Sequence, residues 1–371
     1  KVLKAGKHVY SAVPAAITLQ ELETLVRTVE ETGLLYMLGE TSYYRPQTIY
    51  CRREFAKGVF GDFVYGEGHY YHDMSHFYRP YMHSGGENWK AVASYPPMLY
   101  PTHSVSHVLG VTFDRITEVS CFGYVDHHED GIFDKDLSMW DNEFSNQTAL
   151  CRTASGGMAV IKEFRRSGAA ECRMNFIGTE AAYEEQLMEY TGRFSRQLSV
   201  LSWIEHEEGY RKPDGSIDFE HSAEHSHKRM RDLSDYLDNH LGVEITEDRL
   251  GDLDPSYIGK KHLGVAPVHR VERLPAAFVG MPNGHNGSHQ FLITDFLEAL
   301  ETGKLPPNNV WLAARYNAPG IVAHESSQRA PGTRLGHPTR GYDVYGSQDK
   351  TDLGQCHPPD RRIGKPSPCR S

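Results

Sequence analysis

A short apolar run, a capped amphipathic helix and a second short apolar run follow one another between His8 and Leu38, and this order constrains the fold more than any other feature. His8–Tyr10 reads as a short buried strand that follows a helix end at Gly6, with Pro14 forcing a turn. Thr18 and Glu21 stand at capping-box spacing, where each side chain satisfies an amide that the first turn of a helix leaves free. Leu19, Leu22, Val26 and Val29 then share one helical face, and Gly33 closes the helix. Leu34–Leu38 suits a strand buried on both sides. Strand, helix, strand in this order predicts a parallel α/β unit. A second helix is expected over Gln47–Ala56, ending near Lys57-Gly58, so that residues 1–58 form one unit.

From Phe63 the rhythm changes. Strand patterns occur at Phe63–Tyr71, Ile116–Val125, Gln147–Arg152, Met158–Arg165 and Glu171–Ile177. With few helical gaps between them, they predict a large open sheet, mainly antiparallel, in an α+β domain over residues 59–340. Helical pattern returns at Ser288–Glu301 and at Val310–Ser326, the latter with Pro319 as a kink, and these late helices are expected to pack back on the first unit. Between Glu205 and Asp254 the chain is polar, and His221–His240 reads as a solvated helix. Residues 341–371 are rich in Gly, Pro, Asp and Arg and read as an extended or disordered tail.

The 371 residues suit two domains better than one, because single cores usually stop growing at about 250–300 residues. A formal charge of −10 argues against nucleic-acid partners, and no apolar run approaches the ~20 residues a membrane span needs. Lys1, Lys4 and Lys7 precede no apolar signal-peptide core. The six cysteines form no CxxC pair and read as reduced, buried thiols, which places the chain in the cytoplasm. Histidine and tyrosine, at 21 residues each, are abundant, and both can move protons and bind sugars.

Among them, Tyr70 and His72 lie two apart on a predicted strand, so their side chains leave the same face. Tyr100 and His103 stand at a predicted helix start, with Thr102 or Ser104 as the cap. A histidine there has its cationic form disfavoured and stays available as a base. These four are the candidate catalytic residues. Ligands of open α/β sheets bind beyond the carboxyl ends of strands, which makes Ser11, Val13, Pro14 and Glu40 candidates for cofactor binding, Glu40 near a ribose. For Glu40 a surface-loop carboxylate is an equal alternative. His72, Asp73, His76, His103 and His107 invite a metal reading, but no compact ligand signature accompanies them and no metal ligand is assigned. Asp126-His127-His128-Glu129-Asp130 reads as an exposed loop between strands.

Several short motifs in order resemble the Gfo/Idh/MocA oxidoreductases. They are Ala5-Gly6-Lys7-His8-Val9 followed by Pro14, then Gly33, Lys57-Gly58 and Gly61-Asp62, then Asp295 to Gly303, and finally Ala313-Ala314-Arg315-Tyr316-Asn317-Ala318-Pro319-Gly320. The resemblance covers most of residues 1–330. It implies a Rossmann-like nucleotide domain, partial here, joined to an α+β domain whose sheet supports dimers or tetramers. It also implies NAD(P), with NAD preferred, and a sugar or sugar derivative as substrate.

Two departures stand beside the likeness. The family's G-x-G-x-x-G turn has no counterpart, so one or two βαβ units of about 30 residues each are expected to precede Lys1 in the gene, or else a partner or a degenerate fold covers the open edge. Where the family carries the Lys of its EKP triplet, this chain has Ala12-Val13-Pro14, and Tyr100-Pro101-Thr102-His103 takes the place of the family's D-x-G-x-H helix. These departures resemble a sub-branch, the NAD-using α-N-acetylgalactosaminidases. The segments that do so are Val13-Pro14-Ala15, Gly66-Glu67-Gly68-His69-Tyr70-Tyr71-His72-Asp73, Tyr100 to His103, and Asn283-Gly284-His285-Asn286-Gly287. That likeness implies hydrolysis through transient oxidation at C3, elimination, water addition and re-reduction. It puts Trp89, Lys90, Asn283, His285 and Arg315 among the candidate substrate contacts. The readings carried forward are therefore a sugar oxidoreductase, a redox-assisted glycosidase, and a metal-dependent isomerase or cofactor-free binding protein.

Overall fold

The computed structural model describes residues 1–168, 171–190, 193–203, 214 and 228–329. The first unit is the expected one: strand β1 (Val9–Ser11), helix α1 (Leu19–Thr32) and strand β2 (Tyr36–Leu38), with β1 and β2 paired in parallel. Both halves of the Thr18–Glu21 capping box form, and Gly33 ends α1 in the left-handed conformation. Leu22, Val26 and Val29 bury the inner face of α1, each aliphatic side chain contributing about 1.5–3 kcal/mol. Helix α2 (Pro46–Ala56) follows.

Strand β3 (Phe63–Tyr71) opens the large sheet and leads into two short helices, α3 (Tyr78–Gly85) and α4 (Trp89–Ala93), and then into α5 (Thr102–Thr112). Next come β4 (Ile116–Val125), β5 (Phe144–Thr153), β6 (Met158–Phe164), β7 (Glu171–Gly178), β8 (Ala181–Tyr190), β9 (Arg193–Trp203) and β10 (Lys228–Asp232). The eight strands lie in the order β10-β9-β8-β7-β3-β6-β5-β4, antiparallel throughout except for the parallel pair β3–β6.

Three strands, β8 to β10, were not read from the sequence. The expected helix over His221–His240 is corrected where it is described: residues 228–232 are the edge strand β10, and only α6 (Ser234–Leu237) is helical. Alternation of Lys228, Met230 and Asp232 with arginines hides a strand whose edge position tolerates charge. Residues 221–227 and the expected tail at 341–371 lie outside the described residues.

Helices α7 (Ser288–Thr302) and α8 (Val310–Ser327) complete the chain, α8 running through Pro319. One buried cluster joins Leu22 and Val26 of α1, Met37 of β2, Val105 and Leu109 of α5, Ile161 of β6 and Ala313 and Tyr316 of α8. The inner face of the sheet therefore packs against the same helices that cover the β1–β2 unit. Among the described residues no helix is long and apolar enough to cross a membrane.

Candidate active site

Glycine brings α5 down onto β3. A Cβ at Gly68 would sit 1.8 Å from the Ser104 carbonyl oxygen, and one at Gly66 3.1 Å from Val108 Cγ2. Only glycine permits this approach, so the Gly66-Glu67-Gly68 segment sets the first turn of α5 directly over the end of β3. A similar contact seats α8: a Cβ at Gly320 would meet the Met98 carbonyl oxygen at 2.2 Å. Asn317 of α8 accepts the Ala15 amide at 3.0 Å, tying the Val13-Pro14-Ala15 turn, whose Val13–Pro14 bond is cis, to the same helix.

Four rings meet where α5 crosses β3. The Tyr70 ring lies 4.9 Å from His103, 5.1 Å from His72 and 6.0 Å from Tyr100, and Tyr100 lies 5.3 Å from His103. His103 is the second residue of α5, and neither Thr102 nor Ser104 caps the helix as expected; Pro101 occupies the cap position without a side-chain bond. Ser104 is turned instead toward Glu163, to which its hydroxyl donates.

Behind His103 stands Glu40. His103 Nδ1 donates to Glu40 Oε1 at 2.8 Å, and the Ser42 amide donates to the same oxygen at 2.7 Å. Glu40 is 0% exposed, so the surface-loop alternative is excluded. Burial alone would push its carboxyl up. The His103 ring, the Thr102 hydroxyl and the Ser42 amide outweigh that and hold it below the usual carboxylate range. Fixed in this way, Glu40 orients His103 and keeps a counter-charge ready for its imidazolium. His72 is held below the usual histidine range by burial, with His76 and Arg165 adding to the effect. Burial also raises Tyr70, and raises Tyr100 to about 12, so both hydroxyls are proton donors near neutrality.

His285 approaches from the loop before α7, where His285, Asn286 and Gly287 all take positive φ. Burial, with His289, Arg45 and His103 as neighbours, pushes His285 down to about 4. It is thus a neutral imidazole, packed against the His289 ring at 4.6 Å and close enough to His103 and Glu40 to feel their charges. The other expected substrate contacts are engaged elsewhere. Asn283 Nδ2 donates to the Gly287 carbonyl at 2.8 Å and so holds that loop. Trp89 packs against Tyr78 with ring centres 5.7 Å apart and planes tilted by 47°, and Lys90 Nζ donates to the Asp130 carbonyl at 2.6 Å. Arg315 Nη1 donates to the Phe113 carbonyl at 2.9 Å. Phe113 caps the far end of α5, about 15 Å from His103 at 1.5 Å per residue.

Two residues central to the cluster were missed by sequence reasoning. Arg165 follows β6, and its guanidinium carbon lies 5.0 Å from the Tyr70 ring centre and 5.5 Å from that of Tyr100. Glu163, paired in register with Tyr70, is fully buried and accepts from Arg165 Nη2 at 3.1 Å. The signal was present: Glu163 and Arg165 are two apart and share the inward face of the strand with Ile161.

His107 shares a hydrogen bond with Thr48 at 2.8 Å, away from His103, and among the described residues no three His, Cys, Asp or Glu side chains converge as metal ligands. The Asp126–Asp130 loop is pinned by Arg166, which donates to Asp126 at 2.8 Å and to Asp130 at 2.9 Å.

This architecture recurs in solved structures. An oxidoreductase from Agrobacterium radiobacter in complex with NAD+, L-tartaric acid and magnesium superposes with a TM-score of 0.53 at 12% identity, covering 88% of this chain and 73% of that one. An inositol dehydrogenase homologue from Azotobacter vinelandii, complexed with NADH and myo-inositol, gives 0.51 at 17% identity over 89% and 72% of the two chains. Levoglucosan dehydrogenase with NADH and L-sorbose gives 0.53 at 12% identity over 88% and 72%. The fold is that of the Gfo/Idh/MocA oxidoreductases.

Part of the chain is also similar in sequence to curated proteins. The α-N-acetylgalactosaminidase of Bacteroides fragilis is 34% identical over 110 residues, which span 29% of this chain and 26% of that protein. A glycosyl hydrolase family 109 protein of Shewanella sp. ANA-3 is 29% identical over 127 residues, 32% of this chain and 28% of that protein. The matched stretches thus span about a quarter of these relatives' length. No family model matches the chain.

Proposed function

We propose that the protein is an NAD(P)-dependent oxidoreductase acting on a sugar or sugar derivative, with NAD the preferred form. The observation that carries this reading is the convergence of Tyr70, His72, Tyr100 and His103, backed by Glu40, beyond the carboxyl ends of β1 and β2. The dinucleotide, when bound, would accept and return a hydride. Fit on this side is good: Thr41 Oγ1, Ser42 Oγ and Arg45 Nε are buried without a hydrogen-bond partner, the kind of polar lining a nicotinamide riboside satisfies. Those atoms, with the Ser11 to Pro14 turn, would hold it. The chain has no G-x-G-x-x-G turn, so the described residues supply the nicotinamide side only.

In this reading His103 takes the proton of the reacting hydroxyl, Glu40 steadies the imidazolium that forms, and the Tyr70 and Tyr100 hydroxyls orient the ring oxygens. The test is a change in nicotinamide absorbance when the full-length protein meets a panel of free sugars. A flat trace with every sugar sinks the reading.

A second reading is a glycosidase that works through transient oxidation. It is favoured by the stretch shared with the Bacteroides enzyme and by Val13, which leaves no lysine in the turn after β1. Release of an aryl leaving group from N-acetylgalactosaminides without net NADH, with deuterium entering at C2 from solvent, separates it from the first. No isotope uptake rules it out.

The cellular setting follows the same logic. Cys51, Cys121, Cys151 and Cys172 are buried thiols outside any disulfide, which suits a reducing cytoplasm. The outer face of the large sheet, where Phe122 is 66% and Leu150 52% exposed, is suited to pairing with a second copy of the chain, as a dimer or tetramer. The division into units at residues 1–58 and 59–340 belongs to the same proposal.

A further inference from the structure

The ring cluster holds a cation that none of the roles above uses. Arg165 is 5% exposed, yet its charge is felt by the rings around it, Tyr70, His72, Tyr81, Tyr95 and Tyr100. A guanidinium has five N–H donors. Nη2 uses its two on Glu163 at 3.1 Å and the Pro97 carbonyl at 3.3 Å, and Nη1 reaches the Phe164 carbonyl at 3.5 Å. Nε–H and one Nη1–H are left without a protein acceptor among the described residues. A buried guanidinium with free donors, clamped over two tyrosine rings, is arranged to meet a further acceptor.

We infer that Arg165 and the Tyr70 and Tyr100 hydroxyls form a site for an enolate-type oxyanion on a sugar ring, with Glu163 and Ser104 as the brace that positions the guanidinium. This rests on the proposed function and names what it leaves open. A ketone made on a sugar ring acidifies the neighbouring carbon. Removing that proton leaves negative charge on the ketone oxygen, which needs preorganised donors in a dry cavity. Electrons and atoms balance within the substrate: the C–H pair moves into a C=C bond, the C=O pair moves onto oxygen, and the proton goes to a base. The carboxylate neighbour does not cancel the cation. Burial, with Glu40 nearby, pushes Glu163 up to about 8 against the pull of Arg165 and Ser104, so it carries little charge near neutrality.

Ascorbate is a suitable probe, because it is a stable ene-diolate of a sugar-derived ring, singly charged at neutral pH. Titration calorimetry with the full-length protein needs neither NAD nor turnover. The wild type is expected to bind it. R165M, of similar length but uncharged, is expected to lose about tenfold or more in affinity, a loss of about 1.4 kcal/mol or more, and R165K to recover part of it. R165M and R165K weakened alike, or R165M unchanged, overturns the inference. Should R165M not fold, E163Q decides. The wild-type carboxyl ionises beside the guanidinium only above about 8 and the Gln never does, so E163Q is expected to bind ascorbate like the wild type near pH 6 and more tightly than it at about pH 9; weaker binding at both, or no difference at the higher pH, overturns the inference. Absence of ascorbate binding by the wild type also overturns it, while the oxidoreductase reading then stands or falls on its own absorbance assay.

Discussion

The imidazole of His103 and the carboxylate of Glu40 are joined by a 2.8 Å hydrogen bond, although 63 residues separate them in sequence and the carboxylate has no exposure to solvent. Glu40 ends the β1–α1–β2 unit and His103 begins the helix that seats on the large sheet, so the bond links the two parts of the fold at the candidate site. A histidine paired in this way has a fixed ring and a counter-charge for its protonated form.

Replacing Glu40 by Gln keeps the shape and removes the charge. A hydrogen bond to a charged group contributes about 1.5–3 kcal/mol, so kcat is expected to fall roughly 10- to 100-fold with a smaller change in KM. Stability gives an independent check. The folded carboxyl is held below its usual range, so its contribution is present above that range and is lost as pH falls through the lowered value. Melting temperatures of wild type and E40Q should therefore differ near neutrality and converge in acid. Parallel curves would mean that Glu40 carries no such charge interaction.

Tyr70 touches the other three rings of the cluster, and Tyr70→Phe removes only its hydroxyl. The ring packing survives, so the melting temperature should move little. A hydroxyl that orients or protonates the substrate is worth about 10²–10⁴ in rate. Steady-state kinetics on the preferred sugar checks this, and a Y70F protein with wild-type kcat would relegate Tyr70 to packing.

How far these features could be read from the chain depended on whether local chemistry or tertiary approach decided them. The Thr18 capping box and the Gly33 stop follow from spacing alone, and the structure has both; the Tyr70 and His72 rings meet at 5.1 Å, although β3 ends at Tyr71 and His72 lies one residue beyond it. Glu40 could be placed at a strand end, but its burial behind His103 depends on α5 being lowered onto β3, a non-local event. The partner of Arg315 was illegible for a related reason: its guanidinium donates to the carbonyl of a left-handed Phe113 at the end of α5, 202 residues away in sequence. Strands β8 to β10 escaped because charged residues interrupt the apolar alternation: Glu184, Glu185 and Glu189 in β8, Arg193 and Arg196 in β9, and all but Met230 in β10.

Glu163 makes a prediction of opposite sign to that of Glu40. Its carboxyl is raised to about 8, so the folded state holds a proton that the unfolded chain has already released. The associated stability is full below the ordinary carboxylate range and is lost as pH rises through about 8. Glu163→Gln cannot ionise. Relative to wild type its melting temperature should climb between about pH 5 and pH 8 and then level off. A difference that stays constant across this window would show that Glu163 is ionised throughout.

On the outer face of the large sheet, Phe122 and Leu150 are more than half exposed, and Tyr124 and Met158 extend the same surface. Surfaces of this kind seldom stay uncovered in water. Light scattering after gel filtration should find an oligomer, and Phe122→Asp should shift it toward monomer without loss of helical or strand signal. A wild type that is already monomeric at micromolar concentration removes the sheet-pairing proposal.

Gly68 ties stability to the site. The Ser104 carbonyl lies where a side chain would begin, and α5 cannot retreat without moving His103 off Glu40 and Ser104 off Glu163. Overpacking usually costs about 1–3 kcal/mol, and here the obstruction is backbone rather than a flexible side chain, so Gly68→Ala should cost about 3 kcal/mol or more. If the protein survives by letting α5 shift, catalysis should fall further than stability does, because the ring cluster is assembled by that contact. The comparison with Gly66→Ala is informative, since a Cβ there meets side chains rather than backbone, Val108 at 3.1 Å and Phe63 at 3.3 Å. The expected order is a mild loss of melting temperature and near-normal kcat for G66A, against a large loss of both for G68A. Equal effects at the two positions would contradict the view that α5 is placed by the bare backbone of Gly68.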